Sequence, residues 1–143
     1  MLIFLDFPTG FLESAQQVSD FLKTRVVATP GLEEHHRHGV GFLSEEDFQQ
    51  RVAEFFSHPD ELCFGDETAN EAYSRFSAAI DRICSTNYRE NLIAVSHGTV
   101  ISLFVSQHNG TPAFGLWKKL GLPSFVVLEL PSLKTLLVRY GLT

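Results

Sequence analysis

The sequence has only two cysteines, Cys63 and Cys84, and they lack the close spacing of a metal-binding or redox pair. So few thiols argue against a disulfide-stapled secreted scaffold, and we interpret the two as a reduced intracellular pair. No cluster of Lys and Arg stands out and the formal net charge is −6, which argues against a nucleic-acid-binding protein. A small phosphorylated ligand is still compatible with this charge, because a pocket needs only a local positive potential.

The sequence also lacks any apolar run that approaches the ~20 residues of a membrane-spanning helix. Residues 1–5 have neither the basic stretch nor the long apolar core of a secretory signal. We therefore expect a cytoplasmic protein without a membrane partner. Repeats and linkers are absent too, and the 44% of hydrophobic residues is ordinary, so the sequence predicts one compact domain over residues 1–143.

Short apolar runs alternate with helical patterns along the chain, which predicts an α/β fold with a mostly parallel sheet. Strands are predicted at Leu2–Leu5, Arg25–Ala28, Leu92–Val95, Phe125–Leu130 and Thr135–Tyr140, with the last two paired around the Pro131-Ser132 turn. Helices are predicted from Phe11 to Leu22, from Ser44 to about Phe56, from Thr68 through Ile83, from Val100 to about Gln107, and from Thr111-Pro112 to near Gly121. In the third helix, Arg75 and Arg82 lie off the apolar face.

The strand Leu92–Val95 leads directly into Ser96-His97-Gly98-Thr99 and then into an apolar helix. A histidine at this point lies at the carboxyl edge of the sheet, where open α/β folds bind ligands. Gly98 permits a close approach of the backbone, and the N–H groups of the following helix can receive an anion, with which a protonated His97 would pair. By itself the pattern favours this function no more than a structural role for His97 as a helix cap.

Several further segments, taken in order, resemble the histidine phosphatase superfamily, the phosphoglycerate mutase-like proteins. Val95–Thr99 resembles the second histidine motif of that family, and Phe64–Ala69 is similar to the segment that precedes it. Pro30–His35 resembles the family's "L-x-E" element, and Gly121–Leu128 resembles its late strand. The likeness covers roughly Phe11 to Pro131, and the order and spacing of the segments support it more than any one motif does.

The resemblance implies a three-layer α/β/α sandwich of the phosphoglycerate mutase-like type, and phosphoryl transfer through a histidine without a metal or other cofactor. In the family a first histidine, within Arg-His-Gly at the end of the first strand, attacks the phosphorus. Arginines and a second histidine hold the phosphoryl oxygens, and a carboxylate protonates the leaving group. By this resemblance His97, Gly98 and Thr99 would bind phosphate and Glu34 would donate the proton, with Glu33 left open as the alternative.

The family's nucleophile segment is not found at the start of this chain, where Leu5 is followed by Asp6-Phe7-Pro8. Either Leu2–Leu5 is a degenerate first strand with Asp6 and Phe7 in place of Arg and His, or it is the family's second strand without its Arg. In both alignments we expect impaired catalysis. With the first strand missing or replaced, Leu92–Val95 loses a neighbour, so we expect Leu2–Leu5 to fill that place or a homo-oligomer to form through the exposed edge.

The triplet Arg37-His38-Gly39 matches the nucleophile motif in the wrong place, because it follows polar residues rather than an apolar strand. We interpret this match as chance, and the cluster of His35, His36 and His38 as a polar loop rather than a metal site. Three hypotheses follow. The chain is a phosphatase whose nucleophile strand is encoded upstream of Met1, a pseudoenzyme that binds a phospho-ligand or a protein, or a weak phosphatase that uses His38.

Overall fold

A computed structural model describes residues 1–6 and 11–141, with Leu5 and Phe11 described by their backbones alone. Its elements, in chain order, are β1 (Leu2–Asp6), α1 (Phe11–Leu22), α2 (Glu45–Ser57), α3 (Ala69–Thr86), β2 (Leu92–Ser96), α4 (Gly98–Asn109), α5 (Ala113–Lys119), β3 (Ser124–Leu128) and β4 (Thr135–Arg139). The comparison of Phe7 with the family's nucleophile lies outside the described residues.

The strands form one sheet in the order β2-β1-β3-β4. β1 runs parallel to β2, with Leu2 opposite Leu92 and Asp6 opposite Ser96, so the prediction that Leu2–Leu5 lies beside Leu92–Val95 is confirmed. β1 pairs antiparallel with β3, and β3 pairs antiparallel with β4. The sheet is therefore mixed, and a mostly parallel sheet is not confirmed. A parallel pair needs a long crossover, whereas the short turn between β3 and β4 permits only an antiparallel hairpin.

The two faces of the sheet are covered unequally. On one face, Leu2 and Phe4 have no exposed surface, and the Phe4 ring lies 5.5 Å from the rings of Phe76 in α3 and Phe104 in α4. On the other face, Ile93 is 40% exposed, although α1 contacts β2. The three-layer arrangement therefore stays a prediction. Among the described residues β2 is an edge strand, and self-association through this edge is likewise untested.

Local signals in the sequence predict the helix starts correctly. The Ser44 hydroxyl accepts a hydrogen bond from the Asp47 N–H (3.1 Å), and Thr68 forms a capping box with Glu71. The strand predicted at Arg25–Ala28 is wrong, because this segment has irregular structure and Val27 is exposed. A strand requires backbone partners, and no strand of the described chain pairs with this segment.

Two of the compositional predictions can be compared with the structure. Cys63 and Cys84 are both free thiols. Burial, and then the nearby Asp81 carboxylate, raise the pKa of the Cys84 thiol, so it is a weak nucleophile at neutral pH. None of the helices in the described ranges is long and apolar enough to cross a bilayer.

Candidate functional site

A cavity of about 340 Å³ lies at the carboxyl ends of β1 and β2. Its polar lining is formed by Asp6, Glu34, Arg37, His97, Gly98 and Thr99. Its largely apolar lining comes from α2, α5 and the segment after α5: Phe48, Trp117, Leu120 and Leu122, with Gln49 and Lys118 beside them. This volume suits a small molecule, for which pockets usually measure about 300–1,000 Å³.

His97 and Gly98 stand where β2 passes into α4. His97 is the N-cap residue with an extended backbone; it lines the cavity, and its side chain makes no capping hydrogen bond to the helix. A Cβ on Gly98 would lie 2.9 Å from Asp6 Oδ2 and 3.8 Å from Trp117 Cδ1. Trp117 would be in ordinary contact with such a Cβ, whereas the Asp6 carboxylate would have to shift, so Gly98 lets this carboxylate approach the first turn of α4.

Glu34 reaches the same helix start from the loop before α2. Its Oε2 accepts a hydrogen bond from the Thr99 N–H (3.4 Å), and its Oε1 accepts one from the His35 N–H (2.8 Å). A carboxylate is favourable at this point because the N-terminus of a helix carries a partial positive charge. The structure thus brings Glu34, His97, Gly98 and Thr99 together, as the resemblance implies.

Glu33 points away from the cavity. Its Oε2 accepts a hydrogen bond from the Gly31 N–H (2.8 Å) and lies 3.3 Å from Arg75 Nη1. The side chain is 55% exposed, and it is not among the residues that line the cavity. Of the two neighbouring carboxylates, geometry places Glu34 in the candidate site.

Arg37 is a cation of the cavity that the sequence interpretation leaves without a role. Its guanidinium lies 5.1 Å from the centre of the Phe48 ring, and its Nη2 is 3.7 Å from Glu34 Oε2. Its Nη1 is buried without a hydrogen-bond partner among the described residues. The only local signal for Arg37 is its position three residues after Glu34, since the fold of the loop decides where its side chain lies.

The three neighbouring histidines have different surroundings, although the rings of His36 and His38 lie 5.8 Å apart. His35 is buried, its ring lies 4.0 Å from that of Phe55, and burial followed by the charge of Arg37 lowers its pKa, so the ring is neutral at pH 7. His36 faces Glu67 at 3.8 Å. The His38 side chain is 86% exposed, lies 3.0 Å from Asp66 Oδ2 and is not among the residues that line the cavity.

Arg75 of α3 anchors the loop that carries Glu34, and it does so outside the cavity. Its guanidinium donates hydrogen bonds to the carbonyl oxygens of Gly31 (3.0 Å), Glu33 (2.9 Å) and Glu34 (3.2 Å). It also donates two bonds to the Glu67 carboxylate, at 2.6 and 3.2 Å. Burial raises the pKa of Glu67, but the hydrogen bond from Arg75, the hydrogen bond from the His36 N–H and the charge of Arg75 together hold this pKa below its ordinary value. Arg75 is therefore a positioning residue for the site.

Comparison with known proteins identifies the class. A sequence model of the histidine phosphatase superfamily (branch 1) matches residues 11–143, so the chain belongs to that superfamily. This match begins after β1, and it therefore does not assign Asp6 to a family position.

Two solved structures share the fold. The alpha-ribazole phosphatase from Shigella flexneri superposes with a TM-score of 0.61 at 21% identity, over 93% of this chain and 71% of that chain. A putative alpha-ribazole-5'-P phosphatase from Escherichia coli str. K-12 substr. MG1655 superposes with a TM-score of 0.50 at 22% identity, over 98% of this chain and 72% of that chain. At these identities the likeness establishes the fold alone. No curated protein sequence matches the chain significantly.

Proposed function

We propose that this chain binds the phosphoryl group of a small phosphomonoester in the cavity at the carboxyl ends of β1 and β2, and that its catalysis is impaired. One observation carries the proposal. β1 lies beside the strand that leads to His97, where the family has its first strand, but the residue at its end in the cavity is Asp6. Among the described residues of the cavity, His97 is the sole histidine.

The polar side of the cavity has the groups that phosphate binding requires. His97 offers an imidazole, the first turn of α4 offers the Thr99 N–H, and Arg37 contributes a positive charge. In this structure the Thr99 N–H donates to the Glu34 carboxylate. A phosphoryl oxygen would replace Glu34 as the acceptor, and Glu34 would then lie beside the ester oxygen. In any turnover Glu34 would be the proton donor, because it alone of the Glu33 and Glu34 pair lines the cavity.

We expect impaired catalysis because the described part of the cavity has no histidine in the position of the family's nucleophile. Loss of the nucleophile from a serine protease costs about a millionfold in turnover, and binding groups alone do not replace it. His38 is a poor substitute, because it is exposed and paired with Asp66 outside the cavity.

The second candidate is a pseudoenzyme that binds a phospho-ligand or a protein without turnover. The pair of carboxylates Asp6 and Glu34 in one cavity favours it, since together they weaken the binding of a highly charged transition state.

The fold neighbours, named as alpha-ribazole phosphatases, and the size of the cavity support a small phosphorylated molecule as the ligand. Binding to nucleic acid or to a membrane forms no part of this proposal. A cytoplasmic location and a homo-oligomer formed through the edge of β2 are further parts of it that await measurement.

The test combines phosphate titration by calorimetry with hydrolysis of p-nitrophenyl phosphate. We expect the parent protein to bind inorganic phosphate and to hydrolyse the ester no faster than buffer. His97→Ala should weaken phosphate binding about tenfold or more, because a charge-assisted hydrogen bond is lost. His38→Ala is the matched control and should leave phosphate binding unchanged.

Three outcomes would contradict parts of this proposal. Rapid hydrolysis that is lost in His97→Ala but kept in His38→Ala would refute impaired catalysis. Hydrolysis lost in His38→Ala would identify a relocated nucleophile. Absence of phosphate binding in the parent protein would remove the phosphoryl site itself.

A further inference from the structure

We propose that the phosphomonoester carries a flat apolar group, such as an aromatic ring, that packs against Trp117 and Phe48. This inference rests on the proposed phosphate site and adds the class of the esterified group. Trp117 and Phe48 would be the residues that determine specificity.

The apolar wall, formed by Phe48, Trp117, Leu120 and Leu122, adjoins the proposed phosphate-binding residues. Trp117 Cδ1 lies 3.8 Å from the position that a Cβ on Gly98 would take, so the indole borders the first turn of α4. A phosphoryl group held by His97 and the Thr99 N–H would therefore have its ester oxygen close to the indole. The first atoms beyond that oxygen would contact an aromatic surface rather than a polar one.

The wall is held in place by other rings before any ligand arrives. Phe114 stacks on Trp117, with the ring centres 5.9 Å apart and the planes 15° from parallel. Phe48 approaches Trp117 at 6.0 Å and Phe64 at 5.9 Å. Because these rings fix one another, a ligand would bind without having to order the wall, which favours affinity.

The composition of the wall favours an apolar group over a sugar. Phe48, Trp117, Leu120 and Leu122 supply apolar surface, whereas Gln49 is the one neutral polar side chain among the described lining residues on this side. Lys118 holds its ammonium 5.6 Å from the centre of the Phe114 ring. A polyol phosphate would place hydroxyl groups against these apolar side chains, and any hydroxyl buried there without a partner would be costly.

The chain has a single tryptophan, so its intrinsic fluorescence reports on this wall directly. Phenyl phosphate, methyl phosphate and glycerol 2-phosphate would be titrated into the parent protein by fluorescence and by calorimetry. We expect phenyl phosphate to bind about tenfold more tightly than methyl phosphate, because burial of a ring adds hydrophobic stabilisation. Glycerol 2-phosphate should bind no better than methyl phosphate.

Variants separate the wall from the phosphate site. Trp117→Ala should lose about tenfold in affinity for phenyl phosphate by calorimetry while methyl phosphate changes less than about twofold. Trp117→Phe should restore most of the loss, and Phe48→Leu is an independent variant of the same wall should Trp117→Ala fail to fold. Phe21→Ala removes an aromatic side chain that is 86% exposed on α1 and should change neither affinity.

Equal affinity of the parent protein for phenyl and methyl phosphate would overturn the inference and leave the phosphate site intact. The same holds if Trp117→Ala weakens both esters equally, or if glycerol 2-phosphate binds most tightly. Binding of phenol without any binding of inorganic phosphate would instead refute the proposed function, and with it this inference.

Discussion

Two arginines flank Glu34, and their surroundings differ: Arg75 contacts the loop of Glu34 from α3, and Arg37 lies within that loop. Behind the loop, Arg75 donates to three backbone carbonyls and to Glu67. In front of it, Arg37 has a buried Nη1 without a partner among the described residues, and nearby Thr99 Oγ1 is in the same condition. Arg37 and Thr99 both line the cavity, whereas Arg75 does not. The rear of the loop is thus held by hydrogen bonds within the protein, and the front borders the cavity.

The largest effect, on the free energy of unfolding, should come from removing the Arg75 hydrogen bonds at the rear of the loop. Arg75→Met removes the cation from the partly buried Glu67 carboxylate and the donor from three carbonyls, so we expect the free energy of unfolding to fall by about 3–5 kcal/mol. Urea denaturation measures this loss. Arg82→Met is the matched control on the same helix. Within the described part of the chain Arg82 donates only to the Pro30 carbonyl (3.0 Å), so this variant should cost about 1 kcal/mol. Similar losses in both variants would show that Arg75 is not the principal anchor.

The sequence predicts the parts of the fold that depend on neighbouring residues. The caps at Ser44 and Thr68 and the passage from β2 through His97 into α4 are local patterns, and the structure agrees with them. The segment Arg25–Ala28 has strand-like residues, but a strand exists only beside a partner that the sequence does not reveal. The direction of β3 also depends on its pairing with β1.

The residues of the candidate site likewise differ in whether the sequence predicts them. His97, Gly98 and Glu34 follow from motifs of the family, and the fold brings them together. Arg37 and Trp117 reach the cavity from segments about 80 residues apart, and no spacing rule connects them. The Arg75–Glu67 pair is hidden in the sequence because Arg75 lies on the polar side of its helix, where a cation normally faces solvent.

A smaller effect, on phosphate affinity, is expected from Asp6, which lines the cavity in front of the loop. Asp6→Asn removes one negative charge from the cavity, so we expect affinity for inorganic phosphate to rise about three- to tenfold. Calorimetry at low and high salt measures the gain, which should shrink as salt screens the charge. Asp81→Asn on α3 is the matched control and should leave the phosphate affinity unchanged, because Asp81 does not line the cavity. A fall in affinity with Asp6→Asn would mean that Asp6 supports the site rather than opposing the anion.

The smallest effect should come from Glu33, the second carboxylate on Arg75. Glu67 is 10% exposed and 2.6 Å from the guanidinium, whereas Glu33 is 55% exposed and 3.3 Å from it, so solvent screens the Glu33 pair. Glu33→Gln should therefore lower the free energy of unfolding by less than about 0.5 kcal/mol in urea denaturation. Phosphate affinity should be unchanged, because Glu33 does not line the cavity. A loss of phosphate affinity as large as that of His97→Ala would instead assign Glu33 to the site and undo the division between the two sides of the loop.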